Sequence, residues 1–184
     1  MEILGDNWNQ QLLYGRIKTE PVWALKHRAL PYSNEPFNDE ASVAKWRDQG
    51  YTQTKFTGDM YDMRNDEPEW MSAVLQQFPW QYLSWSLYRM GPGTVLPEHS
   101  DTYVKFKKIY NIDDTATIRR AIIFLEDWQS GHYIEIAGIP IVNWRAGDGI
   151  FWNNDTPHIA ANVGSTDRYT LQLTGMVPFW RKNV

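Results

Sequence analysis

From Trp80 to Met176 the chain is a succession of short extended runs, and no helical pattern separates them closely enough to make parallel crossovers. Gln81 to Met90 is rich in Tyr, Trp, Leu and Ser and holds no breaker; Gly91-Pro92-Gly93 then turns the chain into the segment bearing His99. Further strands are expected at Arg120 to Leu125, His132 to Ala137, Ile139 to Trp144, Ile150 to Trp152, Ile159 to Val163 and Tyr169 to Met176. The turns between them fall at Asp127 to Gly131, Gly138, Gly147-Asp148-Gly149 and Gly164. Short strands at this spacing predict an antiparallel sandwich or barrel of the jelly-roll kind, a mainly β fold with flanking helices.

The flanking helices come from the first third. Asn38-Asp39-Glu40 precedes a run from Ala41 to Gln49 and then Gly50, placing acids at the positive end of a short helix and glycine past its stop. Asp66-Glu67-Pro68-Glu69 has the pattern of a second helix start, leading into an apolar stripe of Trp70, Met71, Val74, Leu75 and Phe78 before Pro79. Both helices are expected to buttress the sheet. Residues 1–35 are poorly patterned and broken by Pro21 and Pro31. The organisation that follows is one domain over 1–184, with 1–79 as helical and irregular support, 80–176 as the core and 177–184 as a tail.

Composition excludes several functions. A net charge of −4 gives no basic surface for duplex nucleic acid. With no cysteine, there are no disulfides, thiolate ligands or cysteine nucleophiles, so any metal must be held by His, Asp or Glu. No segment approaches the length of a membrane span, and Met1-Glu2-Ile3-Leu4-Gly5-Asp6 lacks a basic region before an apolar run. A cytoplasmic protein with no membrane partner is expected.

His99 and Asp101 are two residues apart, so in an extended segment they project from one face. His158 supplies a second imidazole, and together they make a 2-His-1-carboxylate set, which binds one face of an octahedral ion and leaves the rest open. Asp155 is the competing carboxylate, although its place before Pro157 suits a turn; His27 and His132 are the spare histidines. Arg168 follows His158 by ten residues across Gly164-Ser165, a spacing that reads as a hairpin, and Thr170 shares the arginine's face. The connection 102–118 carries Lys105, Lys107 and Lys108 and is expected to cover the substrate.

Taken in order, Arg120 to Leu125, Gly131 to Ile136, Gly147 to Trp152, His158 and Arg168-Tyr169-Thr170 resemble the Fe(II)- and 2-oxoglutarate-dependent dioxygenases over residues 80–176. Arg89-Met90-Gly91-Pro92-Gly93 leading to Pro97-Glu98-His99 looks most like the aspartyl/asparaginyl hydroxylase-like branch; the prolyl hydroxylase-like branch is the other. Many members of the former lack the carboxylate that Asp101 supplies here. The resemblance implies a double-stranded β-helix of cupin-like form, with His99, Asp101 and His158 holding Fe(II). It also implies that Arg168 binds the distal carboxylate of 2-oxoglutarate, with Thr170 beside it, and that O2 is the oxidant. The implied reaction hydroxylates an amino acid, a peptide or protein side chain, or another small molecule, and releases succinate and CO2.

On the hairpin reading Val163 pairs with Arg168 and His158 lies opposite Leu173, roughly 17 Å from the arginine, so the diacid lies lengthwise between metal and guanidinium. Arg120 and Arg89 are the alternative anchors. Two other readings keep the same residues: a cupin-like metalloprotein with a different reaction such as isomerisation, and a non-catalytic binding module with structural histidines. Oligomeric state is open.

Overall fold

The structure is a computed structural model that describes residues 2–7, 12–17, 23, 25–34, 36–37, 39–113 and 117–176. The jelly-roll core consists of β5 (Gln81–Met90), β6 (Thr94–His99), β7 (Ile118–Phe124), β8 (His132–Ile136), β9 (Ile139–Ile141), β10 (Asp148–Asn153), β11 (His158–Asn162) and β12 (Arg168–Met176). β10, β7, β12 and β5 are neighbours in the larger antiparallel sheet, while β6, β11, β8 and β9 form the smaller one. Each expected strand is present, with ends moved by a few residues. Successive strands mostly alternate between sheets, which is the double-stranded β-helix.

β7 shows why its sequence is apolar on both faces. Ile122 and Phe124 pack between the sheets with Ile134, Ile136 and Trp152, whereas Ala121 and Ile123 pack outward with Trp23, Met71 and Val74. A strand covered on both sides loses the alternation of a half-exposed one. The outward layer comes from the first third: α2 (Met71–Leu75) lies there with a short 3-10 helix, Lys26–Ala29, while α1 (Glu40–Asp48) sets its buried Trp46 against His99 of β6. Asp39 caps α1 by accepting from Ala41 N and Ser42 N at 3.1 and 3.3 Å. α2 is shorter than its stripe predicts. Met71 N donates to Pro68 O at 2.8 Å and the Tyr61 hydroxyl donates to Asp66 O at 2.6 Å, so a turn stands where the first helical turn was expected.

Two expectations need correction. Residues 1–79, read as helical and irregular, also supply strands β1 (Glu2–Asn7), β2 (Leu12–Arg16), β3 (Ser33–Asn34) and β4 (Asp59–Asp62). β2 pairs with β10 and β4 with β5, so they lengthen the larger sheet at both edges. Such strands form because an edge is available to pair with, which local pattern does not reveal. Asn38, Pro21 and the expected tail 177–184 lie outside the described residues. The second correction concerns Gly164: β11 and β12 do not form a hairpin, since they belong to different sheets. The chain crosses between the sheets there, tightly packed against the β7–β8 connection. Val163 N donates to Gly131 O at 2.9 Å, and Gly131, at φ +91°, has no room for a Cβ against the Gly164 backbone.

Candidate metal centre

The antiparallel pairing of β6 and β11 sets His158 directly opposite His99. Cross-strand neighbours on one face bring side chains together whatever their separation in the chain, and the two imidazole centroids are 4.2 Å apart. Asp101 joins them by a different route from the one its spacing suggests. β6 ends at His99, so Asp101 lies past the strand. It is held by Arg120 of β7, whose Nε donates to Asp101 Oδ2 at 3.0 Å and whose Nη2 lies 2.8 Å from the same oxygen. One ligand atom from each of His99, Asp101 and His158 then lies within 4.8 Å of the others.

Both imidazoles are oriented by backbone carbonyls. His99 Nδ1 is 2.9 Å from Pro97 O, and His158 Nδ1 is 3.0 Å from Thr156 O. A carbonyl only accepts, so each Nδ1 carries the proton and each Nε2 presents a lone pair. His158 Nε2 is 3.9 Å from Asp101 Oδ2, too far for a hydrogen bond and suited to a cation between them. Burial, and then His158, push His99 down to about 4, and burial lowers His158 despite Asp101. Both are therefore neutral at neutral pH. Burial alone would raise Asp101, but Arg120 and the two histidines outweigh it and hold the carboxyl below the usual range. Two neutral imidazoles and one ionised carboxylate fit a divalent cation such as Fe(II).

The walls are aromatic. Phe37 meets His99 edge-on at 5.0 Å, Trp46 does so at 5.8 Å, and Trp152 lies 5.1 Å from His158. Trp46 is anchored by its indole N–H donating to Glu98 O at 3.1 Å. α3 (Val104–Tyr110) occupies part of the connection expected to cover the site, with Tyr103 and Phe106 turned inward and residues 114–116 outside the described set. These aromatic residues carry no motif; only their packing identifies them.

The remaining candidates separate cleanly. Asp155 sits at a turn with φ +65°, exposed, its carboxylate accepting from Asn154 Nδ2 at 2.9 Å and not among the clustered ligand atoms. His27 bonds Glu126 at 2.7 Å and His132 bonds Thr166 O at 3.1 Å. Arg89 is paired with Asp59 at 2.7 Å. Arg168 is buried, 6% exposed, with Nη1 donating to Tyr133 O and Ala161 O at 2.7 and 3.2 Å and Nη2 2.9 Å from Met90 Sδ. Its Nε is buried without a partner among the described residues. Burial pushes the guanidinium down to about 9, still protonated at neutral pH. Because β12 crosses from the larger sheet, Arg168 reaches β11 at Ala161, three residues from His158. That is roughly 10 Å at about 3.3 Å per residue, in place of the longer span of the hairpin reading. Thr170, also buried, shares the face of Arg168 on β12.

Fold and site together define a cupin-like jelly roll with a His-Asp-His cluster of metal-binding geometry. At the level of sequence, no protein-family model and no curated protein matches the chain. Among solved structures it is similar in fold to a Pseudomonas putida prolyl-4-hydroxylase, with a TM-score of 0.58 at 12% identity, over 92% of this chain and 94% of that one. A cupin protein from Bacteroides fragilis aligns at 12% identity and TM-score 0.41, over 73% and 92% of the two chains. A cupin domain of an XRE-family transcriptional regulator from Enterobacter cloacae aligns at 14% and 0.40, over 65% and 95%. No helix among the described residues is long and apolar enough to cross a membrane.

Proposed function

We propose that this protein is an Fe(II)- and 2-oxoglutarate-dependent dioxygenase that hydroxylates a small molecule or an amino-acid or peptide side chain, releasing succinate and CO2. The observation that carries the reading is the pairing of two features on the facing sheets: three ligand atoms gathered within 4.8 Å, and a buried arginine bonded to carbonyls but, among the described residues, to no acid. A buried cation without a counter-ion is costly, and a ligand carboxylate removes that cost.

His99, Asp101 and His158 would hold the ion on one face and leave the opposite positions to ligands. When bound, Fe(II) in such a site supplies the activation of dioxygen together with 2-oxoglutarate. Arg168 orients the diacid by gripping its distal carboxylate, and Thr170 offers a hydroxyl on the same face. Arg120 keeps Asp101 ionised and aimed at the cluster. Phe37, Trp46 and Trp152 wall the imidazoles and keep water away from them. The fold likeness to a prolyl-4-hydroxylase agrees with this reading. Nucleic acid and membrane are not its partners on this proposal, and the cytoplasm is its compartment.

Anaerobic titration with Fe(II) and then 2-oxoglutarate is expected to develop the weak visible charge-transfer band of the chelate. On admitting oxygen, succinate release should be slow until the right substrate class accelerates it. Metal binding without the band would point instead to another cupin-like metalloprotein.

A further inference from the structure

Behind the aromatic wall of the cluster lies a cavity of about 170 Å³, lined by Asn34 of β3, Phe37, Val43 and Arg47 of α1, and Lys55 with Phe56. Val43 and Arg47 are four residues apart, so they share one face of the helix. Phe37 belongs to both the cavity and the metal centre. Its ring lies 5.0 Å from His99 and 4.8 Å from Trp46, and Phe56 meets Trp46 at 4.9 Å. A molecule in the cavity would therefore rest on a ring that itself rests on His99. The size excludes larger ligands: a drug-sized molecule needs roughly 300 Å³ or more, whereas one ring with a short polar group fits. Phe37, Val43 and the buried Phe56 supply apolar surface, which calls for an apolar body.

Arg47 sets the polar end. Its Cζ lies 4.7 Å from the centroid of the Phe56 ring, and its Nη1 donates to Tyr51 O at 2.8 Å. These contacts hold the guanidinium at the cavity without neutralising it, because neither partner is an acid and, among the described residues, no carboxylate pairs with it. The neighbouring charges are otherwise engaged. Lys55 gives its ammonium to Asp59 at 2.6 Å, and Arg89 takes the other Asp59 oxygen at 2.7 Å. Asp39 spends both oxygens on its own helix, accepting from Ala41 N, Ser42 N and Ser42 Oγ. Glu40 and Asp48 are exposed and lie outside the lining. A planar cation stacked on a ring at the edge of a small apolar cavity suits a carboxylate, which a guanidinium can grip through two parallel bonds.

We propose that this cavity binds a small carboxylic acid with an apolar, one-ring body, its carboxylate on Arg47 and its body against Phe37 and Phe56. The site is distinct from the diacid anchor at Arg168, and it does not rest on the dioxygenase reading. Because Phe37 also walls His99, occupation of the cavity is felt at the metal centre.

The probes are benzoate and benzamide, which share a shape and differ in charge. The full chain, dialysed free of metal so that no ion competes for the acid, is titrated with each and followed by the NMR signals of its side chains. Benzoate is expected to bind about tenfold more tightly than benzamide and to shift the ring signals of Phe37 and Phe56, with the His99 ring following at the same midpoint. Arg47→Gln should bring benzoate to within about twofold of benzamide, and Val43→Trp, which fills the cavity with an indole, should abolish the shifts from both. Arg47 is exposed, so its substitution leaves the fold intact and decides the matter even if Val43→Trp does not fold. Equal binding of acid and amide would overturn the proposal. So would benzoate affinity that Arg47→Gln leaves unchanged, or shifts centred on Arg168 or His158, because the acid would then be sitting inside the jelly roll.

Discussion

Each imidazole of the cluster is held by a carbonyl two residues before it in sequence, and that local bond decides which nitrogen faces the other members of the cluster. On the proposed function each residue of the cluster would act through a single atom. His99→Ala, His158→Ala and Asp101→Ala are each expected to lower Fe(II) affinity by about 100-fold or more while the far-ultraviolet spectrum is retained. Asp155→Ala should bind iron like the parent protein, because Asp155 is exposed at its turn. Iron content after dialysis measures all four; loss in Asp155→Ala with retention in Asp101→Ala would reassign the carboxylate. Arg168 makes a separate case. A lysine keeps the charge but not the two parallel donors, so Arg168→Lys should weaken 2-oxoglutarate binding by about tenfold and Arg168→Gln by about 100-fold. Fe(II) affinity should be unaffected in both, and an unchanged Michaelis constant for 2-oxoglutarate in Arg168→Gln would leave the diacid without this anchor.

Between elements, the contact most exposed to pH is the clasp that ties the 3-10 helix to the end of β7. Glu126 receives Arg28 through Nε and Nη2 at 2.6 and 2.7 Å, and His27 Nε2 at 2.7 Å. Burial would raise the Glu126 carboxyl, but His27 and Arg28 outweigh it and bring it from 4.5 down to about 2. A carboxyl depressed by folding stabilises the native state fully above its unfolded value and loses that contribution as pH falls through the folded one. The clasp should thus hold its full strength above about pH 4.5 and lose roughly 2 kcal/mol by about pH 2. Glu126→Gln should be less stable by about that amount at pH 7 and show a flatter acid limb. Urea midpoints at neutral pH and near pH 3 test this, and parallel pH curves for variant and parent would refute it. The same scale explains the misread hairpin. A turn containing glycine is equally compatible with pairing the flanking strands or sending them to facing sheets. The crossing was chosen because β12 fits between β7 and β5 while β11 fits between β6 and β8.

Across the whole molecule, the first third is a cover for the jelly roll. Leu87, Ile123, Leu171 and Leu173 on the outer face of the larger sheet are fully buried, in one cluster with Trp23, Met71 and Val74. Without that cover the sheet would expose an apolar patch of several hundred Å², the kind that drives association. A fragment of residues 80–176 is accordingly expected to aggregate or bind a hydrophobic dye; a monomeric fragment with a sharp thermal transition would show the cover to be dispensable. Amino-acid order alone determined the jelly-roll class, because strand alternation, breakers and turns are properties of neighbouring residues. It also singled out His99, Asp101 and His158, since ligand chemistry is a matter of residue type. The tertiary structure alone decided that Arg120 draws in Asp101, that Arg168 is buried beside Ala161, and that Tyr103 lies under Arg120. These contacts join residues on different strands or connections. Which strand edge is filled, and which charge is left without a partner, depends on every other segment competing for the same core.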